Sequence, residues 1–296
     1  MEKKYTTKKD PKTKLLRITA LKDFSNVKKG DKGGLIEKEE NLSQEGNCWV
    51  YEDAKVYGDA RVSGNAVVSD NAKVYGKAEI FRDARVYDCA YVSDNARVSG
   101  NAIVCGSARV FENARVFENA RVYNDAKISG EAKVYGNARV CGKAEIFGEA
   151  RVFENAEVSS RVKIFGNAYI SGFSKISGMV KVYENARICG SALIHGAYVG
   201  PEDILNDYFS NIEPCGGIEI CGNAKIWAPS VTSVIVAGVC FTIKDNKDYV
   251  LIINRSYFYI SSSNAEYTPL SPTDSITEEN YIKNIQIIRQ LYGKEV

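Results

Sequence analysis

From Cys48 to His195 a six-residue unit recurs without insertion or deletion. Its pattern is Ala-x-Val-x-Gly-Asn, plain in Asn-Ala-Lys-Val-Tyr-Gly at 71–76 and Asn-Ala-Arg-Val-Cys-Gly at 137–142. Counted from 48 to 192 there are 25 units. The third position is Val or Ile in all 25, and the first is Ala in 21, with Cys48, Val162, Ser174 and Val180 as exceptions. A short fixed period marks a stacked architecture, in which each unit buries its apolar side against its neighbours. Ala and Val stand two apart, so on an extended strand they face the same way. The residue between them is Lys or Arg in most units and faces water. Gly or an acid follows, then a small polar residue, the types that accept the positive φ of a sharp corner. Apolar positions at 0, 2, 6 and 8 make no 3.6-residue stripe, which excludes an amphipathic helix.

Three such sides close a coil of 18 residues, and the run makes about eight coils, a triangular prism roughly 40 Å long at ~4.8 Å per coil. Positions 18 apart then lie above one another, so side chains form columns. The chain divides into an N-terminal cap (1–47), the β-helix (48–229, with an excursion at 197–217) and a small α+β C-terminal cap (230–296). Residues 1–12 are polar and basic and read as a mobile tail. Lys14 to Asp23 alternates as a strand does, and Gly30–Gly34 reads as a tight cap turn, since it lacks the Lys-Ser/Thr ending of a phosphate loop. Beyond Val231, SVIVAGVCFTI and DYVLIINRSYFYI read as two strands joined as a hairpin through KDNKD, and residues 277–291 as a helix.

The repeat resembles the hexapeptide-repeat, left-handed β-helix superfamily. That resemblance, not the spacing, implies the left hand of the coil, and it implies homotrimers. The usual glycine directly after the aliphatic residue is replaced here by Tyr, Phe, Ser or Cys, with Gly one position later. This variant, together with RITALKDF, VKKGDKGG, NLS and GNCWV in the first fifty residues, resembles a narrower YdcK-like group of bacterial and phage proteins. Members of that group are named as transferases on fold analogy.

Net charge is +2 with a single histidine, so no global basic field points to nucleic acid, and the acid-rich corners argue against it. The first residues lack an apolar core segment and no 18-residue apolar run exists, so neither a signal peptide nor a membrane span is expected. Eight cysteines without zinc spacing read as free thiols in a reducing cytoplasm, with no metal or cofactor. Cys105 and Cys141 share a side but stand two coils apart, beyond bridging reach.

One side carries Arg61, Glu79, Arg97, Arg115, Lys133 and Arg151 at strand centres, beside Phe81, Phe117, Tyr135 and Phe153. Corner acids such as Glu112, Glu118, Glu131, Glu149 and Glu154 are expected to balance these cations. The wall is then either a solvated, charge-balanced surface or a site for a planar anion. Guanidinium forks pair with phosphate and aromatics stack on bases. A second side is more apolar at Val67, Ile103 and Leu193, as a packing surface would be. Arg255, Tyr257 and Tyr259 alternate near the far end and either meet a ligand there or pack beneath the helix.

Two function classes follow. In the first the chain is a non-enzymatic binding protein for a small anionic, nucleotide-like ligand at Arg97, Arg115, Phe117, Lys133, Tyr135, Arg151, Phe153, Arg255 and Tyr257. The resemblance to phage-borne proteins implies one version, sequestration of a nucleotide messenger of host defence in the host cytoplasm. In the second, implied by the superfamily, it is an acyl- or nucleotide-sugar-dependent transferase with His195 as general base beside the 197–217 excursion. A purely structural scaffold is the third alternative.

Overall fold

A computed structural model describes the backbone of residues 2–196, 218–220, 225–236, 242–243, 249–254 and 257–262, and side chains of residues 2–192 and 194. The six-residue unit folds as expected, into a parallel β-helix whose strands stack in three columns, each pairing with the one 18 residues on. Each unit contributes a two-residue strand, such as Arg115–Val116, and a four-residue corner. Strands pair in parallel with the one 18 residues on: Arg97 with Arg115, Arg115 with Lys133, Lys133 with Arg151. Arg115 N–H donates to Ala132 O at 2.9 Å and Phe117 N–H to Val134 O at 3.0 Å, and this ladder repeats up the rod. The core is two residue types deep: Ala114, Val116, Ala120 and Val122 are fully buried, as are their counterparts in neighbouring coils. The Ala position lies near the bend, where space is tight but admits Val162 and Val180, and the strand residue fills the centre. Ser174 takes an Ala position without leaving an unpaired hydroxyl, because its Oγ donates to Ser171 O at 2.6 Å.

The corners show why acids alternate with glycine. The fifth residue of the units from Glu52 to Gly190 has positive φ, most often glycine (Gly136, +69°) or acid (Glu118, +59°; Glu112, +57°), with Arg82, Asn124 and Ser160 as the others. An L-residue pays for that conformation in steric strain. Here a carboxylate offsets it by accepting a backbone N–H one coil above. Glu118 Oε2 accepts from Gly136 N at 2.8 Å, Glu154 from Gly172 N at 2.6 Å, and Asp88 from Gly106 N at 2.9 Å. Glu112 does the same with Gly130 N. These corner acids were expected to balance the wall's cations, and Glu112, Glu118 and Glu154 instead serve the corner backbone. Charge balance comes from acids within the strand-centre columns. Glu79 pairs with Arg97 at 2.6 Å, Glu145 with Lys127 and Lys163 at 3.1 Å each, and Glu157 with Arg139 at 3.5 Å and Lys175 at 3.4 Å. Partial burial works against the charge of Glu145, yet the two ammonium groups win and hold its carboxyl below the usual range. Asparagines before Ala102, Ala120, Ala138 and Ala156 add their own ladder, Asn101 to Asn119 to Asn137 to Asn155, at 3.0–3.1 Å.

The N-terminus corrects two expectations. Residues 1–12 are not a loose tail. Tyr5–Lys9 forms a strand (β1) antiparallel to Leu16–Ala20 (β2), which pairs with Lys32–Ile36 (β3). β3 then starts the parallel stack by pairing with Lys55–Val56. The polar run is held because Tyr5 is buried and its hydroxyl donates to Leu42 O at 2.7 Å, while buried Lys4 donates from Nζ to Cys48 O at 3.0 Å and Cys48 Sγ at 3.3 Å. Nor is Gly30–Gly34 one turn. Gly30 alone has positive φ, and Gly33 and Gly34 lie buried in β3. A Cβ at Gly33 would stand 2.6 Å from Ile18 Cγ1 and 2.7 Å from Trp49 Cζ2, so the glycine is required by close packing under the indole. Together these parts close every leading sheet edge, which an open solenoid must do. β3 covers one face and Lys4 the second. The Asn41 amide donates to Gly58 O (3.0 Å) and Ala60 O (2.8 Å) on the third.

At the far end the parallel stack runs on: Lys225–Val236 pairs with Tyr249–Asn254, and Ile218–Ile220 with Thr242–Ile243. KDNKD itself lies outside the described residues, and the described strands on either side of it, expected to pair as a hairpin, pair instead with different strands. The antiparallel pair is Tyr249–Asn254 with Tyr257–Ser262. The excursion at 197–217 and the helix expected at 277–291 lie outside the described residues.

Candidate functional site

The cation column stands where counting by 18 puts it. Arg61, Glu79, Arg97, Arg115, Lys133 and Arg151 are successive partners on one face, followed by Tyr169. Two side chains flank each member along its strand. For Arg115 these are Asn113 before it and Phe117 after it, all three on the outer surface of the coil. Three parallel columns result. Between the first and second lies a groove of about 460 Å³, lined by Lys77, Asn95, Asn113 and Glu131 on one bank and Glu79, Arg97, Arg115 and Lys133 on the other. It runs into a second groove of about 410 Å³ through Lys77 and Glu79, where Lys38, Asp59 and Arg61 line it.

Within this groove the cations are not alike. Arg97 is held by Glu79 at 2.6 Å and lies over the Phe81 ring at 5.4 Å. Arg115 and Lys133 have no side-chain hydrogen bond or ion pair among the described residues. No paired acid offsets their like-charge repulsion across one coil. Asn95 donates to Asn113 Oδ1 at 3.1 Å, which leaves the Asn113 amide N–H groups facing the groove.

The aromatic residues expected beside these cations form the third column, on the other side of them from the groove. Phe117, Tyr135 and Phe153 stack on one another with ring centroids 4.8 and 5.0 Å apart and planes within 4°. Burial in that stack pushes the Tyr135 phenol up, with Arg151 pulling the other way. Arg151 leaves the groove and lies over Tyr169 at 5.1 Å. The structure thus gathers Arg97, Arg115 and Lys133 of the expected residues and adds Lys77, Asn95, Asn113 and Glu131. Those four are themselves 18 apart.

The remaining candidates stand elsewhere. The His195 backbone lies in the strand Arg187–Gly196, between Ser177 and Ile235. Tyr257 opens the strand Tyr257–Ser262, opposite Asn254, and Arg255 lies outside the described residues. The second face is, as expected, more apolar at its strand centres than the others, with Val67 and Ile103, although Arg85, Arg121 and Arg139 stand in the same column. Among the described residues no three His, Cys, Asp or Glu side chains are grouped as metal ligands, and no helix is long and apolar enough to cross a membrane.

Comparison with known proteins places the repeat. The family model for the YdcK β-solenoid repeat matches residues 54–70 and 90–106. The "uncharacterized acetyltransferase YdcK" of Escherichia coli (strain K12) is 50% identical over 38 residues, which are 13% of this chain and 12% of that protein. The chain therefore spans about an eighth of the length of the curated relative it matches. Among solved structures, an Arabidopsis UDP-N-acetylglucosamine acyltransferase aligns over 78% of this chain and 89% of its own, with 12% identity and a TM-score of 0.29. The stretches 54–70 and 90–106 are thus similar to the YdcK β-solenoid repeat, and the same six-residue pattern continues through the rest of the rod.

Proposed function

We propose that this chain is a binding protein for a small anionic ligand of the nucleotide kind, with sugar hydroxyls beside negative charge, held in the groove at Arg115 and Lys133. The observation that carries the reading is the contrast within one column. Arg97 has its carboxylate and Arg151 its ring, whereas Arg115 and Lys133 stand one coil apart with no acid between them. A guanidinium fork above an ammonium group suits an oxyanion. Arg115→Gln and Lys133→Gln should each weaken binding about tenfold, the loss expected for one hydrogen bond to a charged group. Calorimetry with a panel of mono-, di- and cyclic nucleotides checks this, and no heat with any of them would remove the reading. The finer version, sequestration of a nucleotide messenger, makes a sharper claim: the ligand comes off chemically intact when the complex is heated. In the trimer that the resemblance implies, each particle would carry three such grooves.

The name of the Escherichia coli relative supports a second reading, acyl transfer, with an acyl-CoA as the nucleotide-bearing donor and His195 as general base. Under it His195→Ala should abolish turnover while leaving donor binding in place. Mass spectrometry of acetyl-CoA incubated with the unaltered chain and candidate acceptors decides, since an unchanged donor ends this reading.

A further inference from the structure

We infer that the groove is a track for an extended acidic oligosaccharide, lying along the rod axis with one sugar ring per coil. This rests on the binding reading above only in placing an anion at Arg115 and Lys133, and it replaces the compact nucleotide with a chain. Three observations carry it.

The first is repetition. Arg97, Arg115 and Lys133 are register partners, so a cation recurs at every coil, ~4.8 Å apart. The opposite bank repeats in step, from Lys77 to Asn95, Asn113 and Glu131. A compact anion engages one or two of these levels. A ligand with its own repeat engages all of them, and a ring in an extended 1,4-linked chain advances by close to one coil's rise.

The second is the kind of groups present. Four cations face two carboxylates and two amides in the main groove. A carboxylate accepts hydrogen bonds and gives none, so Glu131 repels a polyphosphate, which has no hydrogen to offer. Sugar hydroxyls do donate, and Glu131 can accept from them while the free Asn113 amide N–H groups donate to ring or hydroxyl oxygens. The uronate carboxylates of the same chain meet Arg115 and Lys133. Mixed charge with amides is thus what a polyhydroxylated acid needs and what a bare polyanion would disfavour.

The third is that the track does not end at its own wall. It continues past Lys77 and Glu79 into the lower groove at Arg61. A pocket for a single small molecule would be closed at that point.

The test uses the full chain and linear oligogalacturonates of one to six rings, followed by calorimetry. Affinity should rise about tenfold from one ring to four, the number of coils that line the main groove, and level off near five, where the chain reaches Arg61 in the lower groove. Arg115→Gln and Lys133→Gln should flatten that rise. Arg85→Gln, on a neighbouring face, should leave it unchanged, and all three should melt with the unaltered chain. The inference is overturned by affinity that does not depend on length, by neutral oligoglucose of equal length binding as well, by inorganic polyphosphate binding more tightly, or by Arg85→Gln acting like the groove variants. If nucleotides bind in the Arg115–Lys133 groove and no oligogalacturonate does, this inference falls and the binding reading stands. If neither binds, both fall.

Discussion

Replacing Val116 by Asp is expected to melt the central coils of the rod under conditions where the unaltered chain is intact. Val116 is fully buried and sits directly between Val98 and Val134 in its column. The interior at that level is Ala and Val methyls, with no donor to meet a carboxylate. The substitution forfeits roughly 1.5–3 kcal/mol of Val burial. It also imposes the cost of a buried polar group without a partner, so the total should exceed about 4 kcal/mol. Because each coil touches only its neighbours, the damage should be local at first. Limited proteolysis should cut between residues 98 and 134 before it cuts the N-terminal cap. Arg115→Gln, one residue away on the outside, supplies the control. An unchanged melting midpoint for Val116→Asp would show that this column does not point inward.

The second large effect is expected at a corner. Gly136 has a φ of +69°, and a Cβ there would lie 2.7 Å from Glu154 N and 2.9 Å from both its Cα and its O. These are backbone atoms of the next coil and cannot swing aside. Gly136→Val adds a β-branched side chain in the left-handed region, about 1–2 kcal/mol of strain, and overpacking of a further ~1–3 kcal/mol. Thermal unfolding should show a loss of about 2–5 kcal/mol. The companion Glu118→Ala should lose much less. It keeps a Cβ that the corner already holds and gives up only the carboxylate bond to Gly136 N. Equal losses in the two variants would mean that stacking distance does not set the corner residue.

Most of the rod could be read before any coordinates, and for one reason. A strict period turns a local pattern into a long-range one, so counting by 18 identifies neighbours that are far apart in sequence. Arg97, Arg115 and Lys133 were placed that way, and so was the ring stack of Phe117, Tyr135 and Phe153. The same count would have found Lys77, Asn95, Asn113 and Glu131, but polar residues at a corner resemble solvent-facing filler until a groove is seen between columns. The failures fall where the period does not apply. β1 carries Thr6, Thr7, Lys8 and Lys9, a polar run, and only its pairing with β2 and the burial of Lys4 and Tyr5 make it ordered. Gly33 looked like a turn residue because nothing local announces that Trp49 will lie over it. KDNKD has hairpin composition, yet the described strands on either side of it, Thr242–Ile243 and Tyr249–Asn254, pair with different strands of the stack. The corner acids were assigned to the nearest cations by charge, whereas an αL backbone one coil below a free N–H gave them another partner.

The closure of the first coil bears on how such a rod finds its alignment. A shift of the stack by one whole turn would return Val or Ile onto Val or Ile and, at most levels, Ala onto Ala, so through the middle coils the axis itself barely tells correct from displaced pairing. The seat of Trp49 over Gly33, with Lys4 donating to Cys48, occurs once and fits one turn alone. Those few contacts act as the zero mark from which all later turns are counted.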